Sequence, residues 1–264
     1  NDLRERAMSF PPKSFGFYEY SAPQFAKITD RNAWAMANPA LGYTVTESAL
    51  EEAVATQPIE TTKTELLCQW ISSTSSPWPH MAVEDASDKD LKLSVGPLTV
   101  FAFDVSPSRR DGSLCMGQVL EDGRIGVAVL EIFHSDVSID ELFVANAIAK
   151  WAKIYYPRQV AYDKYTTASI AKRLESNGIQ ITDISGQKGY QASGDLYEAL
   201  ANKRLVHSGQ DELVSHMSNC AAKESDASWR IIRRKSAGPV DIAINLSFIV
   251  HILSQPMGEA KVYV

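Results

Sequence analysis

Two hydrophobic periods run through this chain, and the change from one to the other is its main structural signal. Near the start, Phe15-Gly16-Phe17-Tyr18-Glu19-Tyr20 alternates as a strand would. After Gly42 the period lengthens: Thr46 is a suitable N-cap, and Ala49, Leu50, Ala53 and Val54 form the i, i+3, i+4 stripe of a helix. A second short helix is predicted over residues 63–71. The run Ser72-Ser73-Thr74-Ser75-Ser76-Pro77-Trp78-Pro79 has linker composition, and residues 84–92 are charged and polar. A domain boundary is therefore expected between residues 72 and 96, giving parts 1–95 and 96–264.

Beyond that boundary the pattern changes to short apolar runs that read as strands. Strands are predicted over 98–105, 113–120 and 124–133, the last two joined by the hairpin signal Asp122-Gly123. A helix over 139–155 would bury Leu142, Phe143, Ala147, Ile148 and Trp151. Residues 160–162 read as a buried strand, 167–176 as a helix closed by Asn177-Gly178, and 179–184 as another strand. Helices are predicted over 194–205, 211–222 and 239–254, with a strand or hairpin arm at 229–234. A three-stranded meander followed by strand and helix units predicts an α/β fold with one mixed sheet flanked by helices, preceded by a smaller, mostly helical segment.

Composition narrows the classes. With 264 residues and 45% hydrophobic content, the chain can bury a sizeable core. No apolar run approaches the roughly 20 residues of a membrane span, so no membrane partner is expected. Cys68, Cys115 and Cys220 form no CxxC pair, which argues for a reducing compartment and against a zinc ribbon or disulfide framework. A net charge of −6 argues against constitutive, high-affinity nucleic-acid binding, though not against transient contact through metal ions and a local basic strip. The opening Asn1-Asp2-Leu3-Arg4-Glu5-Arg6 has no initiator Met and reads as the middle of a charged helix, so a fragment of a longer protein is expected.

Three aspartates carry the candidate chemistry. Asp104 interrupts the apolar run Leu98–Val105, Asp163 closes Val160-Ala161-Tyr162-Asp163, and Asp241 follows Gly238-Pro239-Val240. Each has a plainer explanation: an Asx turn with Ser106 and Ser108, a helix N-cap, and an acid near N3 after a Pro at N1. The predicted layout nevertheless brings all three to one edge of the sheet. Buried carboxylates stay ionised only when paired or bound to a cation, and a convergent oxygen set suits Mg²⁺ or Mn²⁺. The matching chemistry is metal-assisted phosphodiester hydrolysis. Asn245, one helical turn after Asp241 on the same face, either supports the site from behind or is a polar residue bonded to a neighbouring loop. Lys223, Arg230, Arg233, Arg234 and Lys235 form the dense basic strip, either a solvated face or a phosphate-contacting one. His134, His207, His216 and His251 show no metal spacing, and no P-loop occurs.

Short blocks, in a specific order, resemble one family. Trp34-Ala35-Met36-Ala37-Asn38-Pro39-Ala40-Leu41-Gly42 and Leu66-Leu67-Cys68-Gln69-Trp70 resemble the end of the ATPase region in large terminase subunits of tailed bacteriophages. Phe103-Asp104-Val105-Ser106-Pro107, Val160-Ala161-Tyr162-Asp163, Arg204-Leu205-Val206-His207 and Pro239-Val240-Asp241-Ile242-Ala243 resemble successive blocks of their nuclease region. The resemblance implies an RNase H-like nuclease over residues 96–264 that cuts concatemeric double-stranded viral DNA with two Mg²⁺ or Mn²⁺ ions held by Asp104, Asp163 and Asp241. It also implies a small terminase subunit and a portal protein as partners, and the host cytoplasm as location. The ATP-binding motifs of the family are absent from this chain. Two other functions fit the same layout: a non-catalytic DNA-guiding or docking module of the packaging motor, and an actin-like-fold ATPase, for which Asp111-Gly112-Ser113 is a thin phosphate loop.

Overall fold

The computed structural model describes residues 16–23, 26–69, 77–225 and 228–255. By packing, the chain divides into two compact units, Asn1–Ile71 and Ser72–Val264.

In the first unit, α1 (Arg31–Ala37) is capped by Asp30, whose carboxylate accepts the Asn32 N–H. Helix α2 (Glu47–Thr56) starts at the expected cap, with the Thr46 hydroxyl accepting the Ala49 N–H and Leu50 and Val54 buried. The next helix differs from expectation: α3 (Ile59–Thr61) begins after Pro58 and widens into a π-turn over Thr62–Leu66. The two terminase-like blocks of this unit meet, because the Asn38 side-chain amide donates to the carbonyls of Trp34 (3.0 Å) and Leu66 (2.8 Å). Trp70 lies outside the described residues. So does Phe15, and the described remainder of the expected first strand, residues 16–20, is not a strand; its Tyr18 and Tyr20 are exposed.

The second unit opens with the short α4 (Ala82–Asp85) and then the meander β1 (Val100–Val105), β2 (Asp111–Val119) and β3 (Ile125–His134). It continues with α5 (Glu141–Tyr155), β4 (Gln159–Tyr162), α6 (Lys164–Ser176), β5 (Ile181–Asp183), α7 (Gln187–Ala201), β6 (Leu205–His207), α8 (Asp211–Ser218), the hairpin β7 (Ala221–Ser225) and β8 (Ser228–Ile232), and α9 (Asp241–Ser254). One six-stranded sheet has the order β5-β4-β1-β2-β3-β6, and β7-β8 forms a separate ribbon. β1, β2 and β3 are antiparallel, whereas β4 and β5 run parallel to β1 and β6 parallel to β3. This is the RNase H-like mixed sheet that the resemblance implies.

Three expectations need correcting here. Strand β6 falls where a helix was expected to end: α7 stops at Ala201, the Asn202 N–H closes on Glu198 and Leu200 carbonyls, and Lys203 turns left-handed at φ 54, freeing Leu205–His207 to pair with β3. Residues 221–222 belong to β7, not to the preceding helix. Leu142 and Phe143 are exposed, and Val144 and Ala145 face inward in their place, beside Ala147 and Ile148, which are buried as expected.

The sheet separates two apolar clusters. Phe101, Phe103, Leu114 and Met116 pack under α5 and α6, while Val100, Ala102, Cys115 and Val127 pack under α7, α8 and α9. Residues from the linker-like stretch join the second cluster: Trp78 and Val83 are buried there, and the Trp78 ring N–H donates to the Met217 carbonyl at 2.8 Å. Helix α9 is buried along most of its length, as the central helix of a layer must be, and it carries the polar residues Asp241, Asn245, Ser247 and His251 into that interior.

Candidate metal centre

Alternation along β1 decides where Asp104 points. Phe101, Phe103 and Val105 belong to the cluster under α5 and α6, so Asp104 shares the opposite face with Val100 and Ala102, beneath α9. It is fully buried. Its partner across the ladder is Ser113 on β2. Helix α9 approaches this face closely because β2 carries Gly117, where a methyl group would lie 2.5 Å from Ile249 Cγ2. That approach lets the Asn245 amide donate to both the carbonyl (3.0 Å) and the hydroxyl (2.9 Å) of Ser113. Asp241 sits one turn earlier on the same helix face and is 1% exposed. Asp104 and Asp241, 137 positions apart, thus meet through one serine and one helix turn.

A guanidinium closes the gap between them. Arg233 makes a short ion pair with Asp104 Oδ2, and its other terminal nitrogen lies 3.9 Å from Asp241 Oδ1. Burial pulls the guanidinium down from its ordinary pKa, with Asp241 opposing the shift.

Asp163 arrives from the neighbouring parallel strand. It follows β4, whose register with β1 pairs Ala161 with Ala102, two positions short of Asp104. Asp163 is the N-cap of α6, accepting the Tyr165 N–H at 2.9 Å, so the plainer role foreseen for it is filled by one of its oxygens. Burial raises its pKa against that hydrogen bond. The first turn of α6 also reaches the acid pair, because the Thr166 hydroxyl donates to Asp104 Oδ1 at 3.3 Å.

Asp241 is the uncompensated member. Neither of its oxygens accepts a well-formed hydrogen bond, although Ser113 and its own backbone N–H lie near enough to pull the carboxyl down, and the Asn245 side-chain oxygen has no donor either. Burial pushes the Asp241 pKa up to about 6 despite the pull of Arg233. His216 offers no relief. Its Nδ1 accepts the Ile242 N–H (3.3 Å) and so faces Asp241 Oδ2 at 3.6 Å acceptor to acceptor, while burial pulls the ring down to about 4 and keeps it neutral. Asp111 adds a further negative charge that acts on both Asp241 and His216. Sequence reasoning missed Asp111 and His216. For Asp111 a signal existed: it lies two positions from Ser113 on β2 and hence on Asp104's face. Asp111 itself is hydrogen-bonded to His134 Nδ1 at 2.9 Å. Among the described residues, no three acidic, histidine or cysteine side chains close into a ready-made metal cluster.

The basic strip divides by direction. Lys223 and Arg230 are cross-strand neighbours on the β7-β8 ribbon, a like-charge pairing that disfavours the ribbon unless an anion joins it. Arg230 lies over the Tyr190 ring at 4.7 Å and donates to its hydroxyl at 2.6 Å. Arg233 turns inward to the acids, and Arg234 is exposed. The side chains of Lys235 and Glu224, and all of Asp226, lie outside the described set. A cleft of about 240 Å³ is lined by Asp163, Gly186, Tyr190, Arg230 and Arg233 together, so acid and base share one opening.

Solved structures with this fold exist. The large terminase of bacteriophage HK97 is similar over 94% of this chain and 59% of its own, at 18% identity and a TM-score of 0.58. The large terminase nuclease of the thermophilic phage G20c matches 59% of this chain and 83% of its own, at 15% identity and a TM-score of 0.46. The large terminase of another thermophilic bacteriophage, solved in complex with ADP, matches 80% and 52%, at 10% identity and a TM-score of 0.48. This chain therefore spans a little under three fifths of the HK97 protein, and the likeness establishes the fold. No known family profile matches the chain, and no curated protein does.

Proposed function

We propose that this chain is the nuclease end of a viral genome-packaging terminase large subunit, residues 96–264, preceded by the end of its ATPase region, residues 1–95. Its activity would be divalent-metal-dependent endonucleolytic cutting of concatemeric double-stranded DNA. The observation that carries this reading is the pair of fully buried acids, Asp104 and Asp241, drawn around a single cation at the end of β1, with Asp163 on the adjoining parallel strand. Ligands of open α/β sheets bind at such carboxyl-terminal strand edges.

The donor set fits a hard divalent ion. It is all oxygen, and it contains buried oxygens on Asp241 and Asn245 with no donor of their own. Asp104, Asp163 and Asp241 would hold the metal, Mg²⁺ or Mn²⁺ and two ions in full occupancy. Bound there, the ions would supply Lewis-acid stabilisation of a phosphodiester and an activated water. The rest falls to this chain's own residues. Asn245 anchors α9 to Ser113 and so fixes Asp241 opposite Asp104, and Thr166 holds one Asp104 oxygen in place. Lys223, Arg230, Arg234 and Lys235 would position the DNA backbone beside the acids, since phosphate contacts set register without reading bases. A small terminase subunit and a portal protein are the partners this role requires, in the host cytoplasm; among the described residues no helix is long and apolar enough to cross a membrane.

Plasmid nicking in Mn²⁺ tests the reading. Asp104→Ala, Asp163→Ala and Asp241→Ala are each expected to abolish nicking with the fold intact by circular dichroism. A variant that nicks at the wild-type rate removes its residue from the site. One observation favours a second reading: Arg233 is already ion-paired with the acids, as it would be in a non-catalytic guiding module where the pair is structural. Such a module binds no Mn²⁺ and nicks nothing.

A further inference from the structure

We propose that Arg233 is a built-in counter-cation: it occupies the acid pair in the metal-free protein, and a divalent ion must displace it from Asp104 and Asp241 before the centre fills. The inference rests on reading those acids as metal ligands and adds to it a competition within the chain. Four observations carry it. Arg233 is the one residue whose side chain is ion-paired to both Asp104 and Asp241 among the described residues. The acids cannot separate, since both are buried and tied to the same strand pair through Ser113 and Asn245. Leaving them without a cation would place two carboxylates in a core with no opposite charge, which is strongly unfavourable. Finally, the guanidinium has somewhere to go. Its side chain is 26% exposed, it belongs to the short Arg233–Lys235 turn after β8, and it lines the open cleft with Arg230.

Competition of this kind lowers apparent metal affinity, because each ion bound must first break an ion pair. Removing the competitor therefore has opposite effects on two measurements. Arg233→Met keeps the length and apolar stem of the side chain without its charge. In EDTA it is expected to melt several degrees below wild type. By titration calorimetry it is expected to bind Mn²⁺ about ten-fold more tightly, and saturating Mn²⁺ should remove most of the melting difference. Arg233→Lys retains a charge that is too compact to span both carboxylates, so it should fall between the two in both assays. It also serves as the readout if Arg233→Met does not fold.

Equal or weaker Mn²⁺ binding by folded Arg233→Met, or by Arg233→Lys when only that variant folds, overturns the proposal while leaving the metal centre standing. No Mn²⁺ binding by wild type and variants alike, with Asp104→Asn indistinguishable from both, overturns the metal centre itself and this proposal with it.

Discussion

The two faces of one sheet are built from the same strands and have opposite chemistry. Beneath α5 and α6, β1 and β2 present Phe101, Phe103, Leu114 and Met116 to a cluster closed by Val144, Ile148, Ile170 and Leu174, all apolar and buried. Beneath α9 the same strands present Val100, Ala102, Cys115 and Gly117, then Asp104 and Ser113, and the helix answers with Asp241 and Asn245. Large side chains on the first face supply stability by removing apolar area from water. Small ones on the second let a helix come close enough to hold polar groups in register. The difference shows where the molecule spends what it gains: the α5 side stabilises a sheet whose other side keeps an acid with no hydrogen bond.

The largest effect that would sharpen this contrast is on the apolar face. Phe103→Ala is expected to cost about 3–5 kcal/mol, the usual loss for a buried aromatic with no room to collapse. Chemical denaturation measures it, and a loss below about 1 kcal/mol would show that this face is not the stabilising one. Next in size is the close contact on the other face. Gly117→Ala would set a methyl group against Ile249 and the Gly126 carbonyl, and a cost of about 1–3 kcal/mol from overpacking is expected, along with weaker metal binding as α9 is pushed off β2. Unchanged stability would mean that the approach of α9 is not limited at Gly117.

Asp241→Asn should behave unlike any apolar-face substitution. It removes an ionisable group that burial disfavours and leaves the volume unchanged, so melting in EDTA is expected to stay within about 1 kcal/mol of wild type while nicking is lost. A large destabilisation would make Asp241 a structural residue. The smallest effect belongs to the ribbon. Lys223→Gln, with its charge opposite Arg230, should reduce the slope of log binding constant against log salt by about one in a Ca²⁺ filter-binding titration, uniformly across DNA sequences. An unchanged slope would leave Lys223 on a solvated face.

Period and punctuation made much of the fold legible in the sequence. The apolar run from Val100 to Val105, the Asp122-Gly123 turn and the Thr46 and Asp163 caps are local signals, and local signals survive without knowledge of the neighbours. Strand β6 did not show because three residues are too few to establish a period, and its identity comes from pairing with β3. Only the first turn of α5 differs from expectation, because Leu142 and Phe143 differ from Val144 and Ala145 only by rotation about the helix axis, which packing chooses, while Ala147 and Ile148 are buried as expected. The three aspartates were visible as acids in apolar runs, since burying a carboxylate is costly enough to need a reason. Which cation they meet was not. Arg233 looked like one basic residue among several in a strip, and only the turn after β8 aims it inward at Asp104 while Arg230 lies over Tyr190. Charge and periodicity belong to the chain and can be read along it. The direction of a long side chain depends on which partners the tertiary fold brings within reach, and no sequence spacing encodes that.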